Sequence, residues 1–387
     1  MKLGLNFALF LMLILPFTFA IGENHLVKTP VWAKDDSWFY ETDIYVKGEL
    51  PSEYRVKAID GTWNVDNATT KVVDVNESTY TVEVYGNLTG NLTLYVKAAD
   101  KELQQLDLGE KPLTIDVRGI YQSKNLIRRE DLATISMSVY ICGEFYSMKM
   151  LPIKVFPFYI RLNISYNPPS TMLRFPFKVG DSWEVETKVT INGEMYVQEW
   201  MDPPKRIHEE RVARERFTCV GKDRVITKAG FFDAYHIVGS SGGDLWYSEK
   251  VTNVIKGVVQ QFSIGNATFT VYMDLIGYDI KLPPSINIIR PERGYLYFFD
   301  KKLFKLGGNT TIAIGPITVS THVENESPVD RVEFYLNDNL SYVASREPFE
   351  WKCREHYVGD AVFRCLAYDV YGKYGEDWIK IYFINFL

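Results

Sequence analysis

Asp36-Ser37-Trp38-Phe39-Tyr40-Glu41-Thr42-Asp43-Ile44-Tyr45-Val46-Lys47-Gly48-Glu49 returns later in the chain as Asp181-Ser182-Trp183-Glu184-Val185-Glu186-Thr187-Lys188-Val189-Thr190-Ile191-Asn192-Gly193-Glu194. Asp-Ser-Trp, Glu-Thr and Gly-Glu are identical in both copies. Trp38, Tyr40, Thr42, Ile44 and Val46 alternate along one side, as Trp183, Val185, Thr187, Val189 and Ile191 do in the second. Period two is the pattern of a half-buried β-strand, and the glycine is read as the turn that ends it. Two related lobes therefore open on the same strand. Asp36 and Asp181 stand at the turn before it, where an aspartate accepts backbone N–H groups, and are read as caps rather than general acids.

Working outward, the chain of 387 residues has room for several domains. Twenty-five tyrosines and 23 phenylalanines against eight tryptophans favour pleated surfaces. A net charge of −6 argues against nucleic acid as a partner. Lys2 followed by the apolar run Leu3–Ala20 reads as an export signal, with Thr18-Phe19-Ala20 offering small residues for cleavage. The same run is about long enough for an uncleaved anchor, which is the membrane contact this reading foresees.

Asn-X-Ser/Thr sequons occur at Asn67, Asn76, Asn87, Asn91, Asn163, Asn266, Asn309, Asn325 and Asn339. Chance gives roughly two or three at this composition, so a glycosylated surface is expected. Cys353 and Cys365 lie close in sequence and are expected to clip adjacent strands in an oxidising compartment. For Cys142 and Cys219, free buried thiols and a bridge both remain open.

The organisation follows from the punctuation. Residues 1–20 are signal or anchor, 31–165 the first β lobe, 171–282 the second, and 286–387 a β-sandwich. The paired prolines in Ser165–Ser170 and in Leu282-Pro283-Pro284 mark the joints. Gly86-Asn87 and Gly90-Asn91 read as turns, Lys124–Asp131 as a charged connection, and Asp100–Glu110 as a short helix. Lys228-Ala229-Gly230 closes the clearest hairpin, between Phe217–Thr227 and Phe231–Val238. The expected class is all-β with minor α: two related curved antiparallel lobes, then an Ig-like sandwich.

Val332-Glu333-Phe334-Tyr335-Leu336-Asn337-Asp338, Pro348-Phe349-Glu350-Trp351, Tyr357-Val358-Gly359 and Ala367-Tyr368-Asp369-Val370-Tyr371-Gly372 resemble bacterial and archaeal Ig-like surface domains. That resemblance implies a sandwich with Trp351 inside, presented outside the cell, and no chemistry. Phe177–Trp183, Val225–Tyr235 and Trp246-Tyr247-Ser248 resemble exported half-barrel domains of unknown function, found in archaeal surface and bacterial periplasmic proteins. Some of that group are similar to lipoprotein carriers, which implies a concave face for an apolar ligand.

Chemistry-bearing motifs are few. His25, His208, His236, His322 and His356 stand at no metal-ligand spacing, and His208-Glu209-Glu210 has no second histidine four residues on. Lys205–Arg216 mixes both signs and reads as a solvated face. Phe231, Tyr235, Trp246 and Tyr247 are the candidate ligand-binding residues, against the plainer reading of aromatic core. The sequence therefore points to a secreted or envelope-associated non-enzymatic glycoprotein, without metal or cofactor. Its expected partner is an envelope protein, glycan or lipid. The alternative is an exported carrier holding a hydrophobic small molecule in the second lobe.

Overall fold

The computed structural model describes residues 25–49, 56–96, 113–147, 154–198, 203–264, 266–307 and 310–386. The leader and the helix expected over Asp100–Glu110 lie outside them. Every regular element among the described residues is a strand.

Twelve strands form one closed barrel, each paired with its neighbour in sequence. The first six are β1 (Ser37–Glu49), β2 (Val56–Val75), β3 (Thr79–Val96), β4 (Leu113–Arg128), β5 (Thr134–Ser147) and β6 (Lys154–Ser170). The second six are β7 (Ser182–Val197), β8 (Lys205–Thr227), β9 (Gly230–Gly239), β10 (Asp244–Ser248), β11 (Asn253–Ile264) and β12 (Asn266–Asp279). The two expected lobes are thus halves of a single barrel. The reason is edge satisfaction: a six-strand sheet leaves two unpaired edges, and closure removes both. β6 pairs with β7 from Phe158↔Val197 to Asn167↔Lys188, and β1 pairs with β12.

Several local expectations change with this. Residues 165–170 are strand, not a joint, with Ser170 paired to Thr134. Lys124–Arg128 belongs to β4, and Gly86 and Gly90 lie within β3. Neither repeat glycine ends its strand: β1 continues to Glu49 and β7 to Val197. Gly193 instead permits close approach, since a Cβ there would meet the Arg161 carbonyl oxygen at 2.0 Å.

The repeat itself is reproduced atom for atom at its turn. Asp36 Oδ2 accepts the Ala33 N–H at 2.8 Å, and Asp181 Oδ2 accepts that of Lys178 at 3.0 Å. The preceding residue is left-handed in both, Asp35 at φ 75° and Gly180 at φ 92°. Asp35 N–H and Asp36 C=O pair with Val72, as Gly180 N–H and Asp181 C=O pair with Cys219. Trp38 packs on Trp32 at 5.1 Å, and Trp183 on Phe177 at 5.7 Å. Tyr80 completes the first aromatic group and Tyr235 the second.

The outer face of the second half carries charge. Glu184 pairs with Arg216, Glu186 with Arg214 at 3.0 Å, and Lys188 with Glu210 at 2.9 Å. Arg206–Arg216 is accordingly a solvated strand. This topology occurs in outer-membrane barrels, but ladders of ion pairs on this outward face are incompatible with hydrocarbon there.

Two compact units divide the chain. One contains 40–68 and 86–276; the other joins Val31–Phe39 and Thr69–Tyr85 to Gly277–Leu387. In the second, β13 (Ser285–Arg290), β17 (Ile317–Glu324) and β20 (Glu350–Cys353) form a three-stranded sheet. The other strands are β14 (Tyr295–Phe298), β15 (Lys301–Lys305), β16 (Ile312–Ile314), β18 (Val329–Leu336), β19 (Asn339–Ala344), β21 (Tyr357–Asp369) and β22 (Tyr374–Asn385). They form a seven-stranded sheet in the order β15-β14-β16-β22-β21-β18-β19. Alternate residues of both sheets make one core, including Val319, Phe334, Trp351, Phe363 and Phe383.

Cys353 and Cys365 are both inside that core and unbridged, which corrects the expected clip. They stand on β20 and β21, strands of different sheets rather than neighbours. Burial pushes the Cys353 thiol up to about 12 and raises that of Cys365 further, so both stay protonated. Cys219 is a buried free thiol and Cys142 a half-buried one.

Asp36 is fully buried and does more than its repeat partner. Its carboxylate also takes the Lys281 N–H at 2.7 Å and the Lys373 ammonium at 2.8 Å, and Lys373 reaches the Lys281 carbonyl at 2.5 Å. Lys373 is itself held by Asp369, whose Oδ1 accepts its backbone N–H. Asp36→Asn strips a buried ammonium of its counter-charge and should lower stability by about 3 kcal/mol. Asp181→Asn, at a turn without a buried cation, should lower it by only about 1 kcal/mol. Denaturant unfolding of the full chain measures both.

Candidate functional site

The hairpin of β8 and β9 turns on Lys228-Ala229, with Thr227 opposite Gly230 and Val225 opposite Phe232. A bulge between Cys219 and Gly221 resets the alternation of β8. Beyond it Lys222 faces Tyr235 and Arg224 faces Asp233, so two long cations share the side of the hairpin that carries the core tyrosine. The turn between β10 and β11 adds Glu249 and Lys250. Lys222, Arg224, Asp233, Glu249 and Lys250, with Phe231 and Phe232, line an open cleft of about 430 Å³.

Each cation of the cleft rests on a ring. Lys222 Nζ lies 4.9 Å from the Tyr235 centroid, Arg224 Cζ 5.4 Å from Phe231, and Lys250 Nζ 5.7 Å from Phe232. Such contacts contribute on the order of 0.5–1 kcal/mol at exposed sites, and they hold long side chains in place while their charged ends stay accessible. Glu249 is engaged elsewhere, 2.9 Å from His25 Nε2 and accepting from the Tyr235 hydroxyl at 3.3 Å. That leaves three oriented cations against one further carboxylate, the exposed Asp233, beside apolar rings: a net positive lining, which is chemistry for an anionic group attached to an apolar or ring-shaped body. Among the described residues no cluster of His, Cys, Asp or Glu has the makings of a metal site.

The four aromatic residues singled out in the sequence separate. Tyr235 and Tyr247 face each other in the β9–β10 register and are buried with Phe175, Phe177 and Trp183. Burial pushes the Tyr247 phenol up, as expected for core. Trp246 is on the other face, stacked on His236 at 4.5 Å and 9°. His236 also lies 3.0 Å from Asp244 and 3.8 Å from Asp223, a satisfied outward histidine. Phe231 alone enters the cleft, 61 % exposed. Lys222, Arg224 and Lys250 were missed. Their only trace in sequence is the alternation Lys222-Asp223-Arg224 before a hairpin, which any solvated strand shows.

A second feature lies on the inner wall of the barrel. Across β5, β6 and β7 one row reads Met137, Ile164, Ile191 and another Ile141, Ile160, Met195. They point to the same side as the buried Val139, Phe156 and Phe158, yet remain half-buried, so part of this apolar wall is accessible. On β8 the wall turns polar at Glu209 and Arg211, paired at 3.8 Å.

No protein-family model matches the chain, and no curated protein matches it. Among solved structures, fibronectin(III)-like modules of Clostridium thermocellum CbhA are similar at 20 % identity and TM-score 0.21, covering 27 % of this chain and 99 % of that one. The extracellular domain of a hybrid two-component system from B. thetaiotaomicron is similar at 7 % identity and TM-score 0.19, covering 93 % of this chain and 59 % of that one.

Dextran sulfate is the simplest probe of the cleft. Exchanging Lys222, Arg224 and Lys250 together for alanine should reduce retention of the folded chain at low salt by about tenfold or more, from roughly 0.5–1 kcal/mol per exposed charge contact. Retention of the unaltered chain should fall as salt rises.

Proposed function

We propose that this chain is a non-enzymatic glycoprotein of the cell surface. In this reading its barrel and Ig-like sandwich form a scaffold and its basic–aromatic cleft binds an acidic envelope component. The observation that carries this is the placement of the sequons. Asn67, Asn76, Asn87, Asn91, Asn163 and Asn339 are all exposed. Asn325 is half-buried, and its amide nitrogen is enclosed without a hydrogen-bond partner. The Asn266 side chain and Asn309 lie outside the described residues. The export signal read in residues 1–20 supports the same location. Four of the histidines sit in local pairings: His25 with Glu249, His208 with Asn192, His236 with Asp244, and His322 with Glu324. None of these four partners is a Ser, Thr or Cys side chain, which supports the non-enzymatic reading.

Glycopeptide mapping of the protein from its native cells tests this reading. Glycan is expected on several of the six exposed asparagines and none on Asn325. Unmodified peptides throughout would overturn it.

The inner wall favours one alternative, an exported carrier for an apolar molecule. Its site would be the β5–β7 wall rather than Tyr235 and Tyr247, which are core. Organic extraction of the native protein should then yield a bound lipid by mass spectrometry. Ile191→Glu, which places a charge on the wall, should abolish its recovery.

A further inference from the structure

The outer face of the seven-stranded sheet is apolar at one end. Its register aligns Phe298, Ile314 and Ile384 in one row and Leu296, Ile312 and Tyr382 in the next. Val358 extends the first row through Ile384, and Asp360 the second through Tyr382. The opposite sides of these strands carry Tyr297, Ala313 and Phe383 into the core, so the two rows necessarily face outward. Phe298, Val358 and Tyr382 are exposed, and the other four apolar residues are half-buried. Asp360 is the one acid in the rows, and it pairs with Lys380 at 3.3 Å.

The hairpin at the edge of this face enlarges it. Phe299 and Asp300 form its turn with φ of 45° and 68°. A left-handed conformation is uncommon for a bulky aromatic residue, where Asn or Gly is usual. The turn is held by Asp300, whose carboxylate accepts from Thr318 N–H at 2.9 Å, Thr318 Oγ1 at 2.7 Å and Arg290 Nη2 at 2.8 Å. So fastened, the hairpin presents Phe299 beside Phe298, with ring centroids 4.8 Å apart. On β15, Leu303 and Phe304 are exposed, and so are Lys301, opposite the outward Phe298, and Lys305, opposite Tyr295 at the sheet's edge. Lys302 is occupied by Glu292 at 2.6 Å.

We propose that this face docks on an anionic lipid membrane, through Phe299, Leu303 and Phe304 on the hairpin and the rows behind them. The chemistry selects this occupant. Exposed aromatic residues beside lysines suit the bilayer interface, where rings enter the headgroup layer and ammonium groups meet lipid phosphates. The charges oppose the chain's own net −6, so the attraction is local. A second copy of the chain would bring two lysine-edged faces together, and like charges disfavour that pairing. This contact is separate from any anchoring by residues 1–20.

The inference rests on the surface reading above, but its test does not. Vesicle binding by the purified chain and glycopeptide mapping of native protein succeed or fail independently. The full chain is sedimented with phosphatidylcholine vesicles, with and without a phosphatidylglycerol fraction, at low and high salt. Phe299→Ser/Phe304→Ser and Lys301→Gln/Lys305→Gln variants are run beside it after their unfolding curves are checked. Binding should require phosphatidylglycerol and weaken with salt. It should fall about fivefold for each lysine removed and more for the aromatic pair. The N-terminal run is common to all three proteins, so the differences report the sheet face. Equal binding by all three, or no binding of the unaltered chain, would overturn the proposal. So would a dimer in light scattering that the aromatic variant dissociates without any vesicle binding.

Discussion

A carboxylate accepting the N–H of the third residue before it is the interaction on which the architecture turns. At Asp36 and at Asp181 it fixes a tight bend with one left-handed residue. That bend aims the following tryptophan inward, where Trp32 or Phe177 packs against it. Direction and register of the strand are then set, because a strand with one tryptophan inside has all its alternate residues inside. β1 and β7 are founded in this way, and each leads a set of six strands. Neither set has a closed edge alone. Joined, they make a barrel without edges.

The two copies have diverged around this shared turn. In the second, the fold asks of Asp181 only a capped bend and a hydrogen-bonded strand. In the first, Asp36 has become the centre of a buried ion pair with Lys373 and takes a further N–H from Lys281. A buried charge is tolerated only when its partners are complete. Asp369 completes them by positioning Lys373, through the turn that ends at Gly372. The same side chain is thus a local cap in one copy and a long-range tie in the other.

Two surfaces of the described residues combine exposed charge with apolar side chains. Ring-supported cations line the cleft of the β8–β9 hairpin, and aromatic residues edged by lysines crown the sandwich. Both place a fixed positive charge beside apolar surface on an acidic chain. In such a pairing the charge acts at longer range and the apolar surface only in contact.

The all-β class, the founding strand with its inward residues and the Lys228-Ala229 hairpin were legible in the amino-acid sequence. These rest on period-two alternation and turn chemistry, which are local. Trp351 in the sandwich core was expected from the resemblance to Ig-like surface domains. That two lobes are one barrel follows from long-range pairing, because β6 and β7 join edges that no local pattern distinguishes from a break. The tertiary structure alone separated Tyr235 and Tyr247 from Trp246, since the β9–β10 register assigns the faces. It placed Cys353 and Cys365 on opposite sheets, although nearness in sequence had suggested neighbouring strands. The cleft and the apolar sheet face stayed hidden for one further reason. Lys222 and Lys250, or Phe298 and Val358, are brought together by cross-strand register, and register depends on the whole sheet.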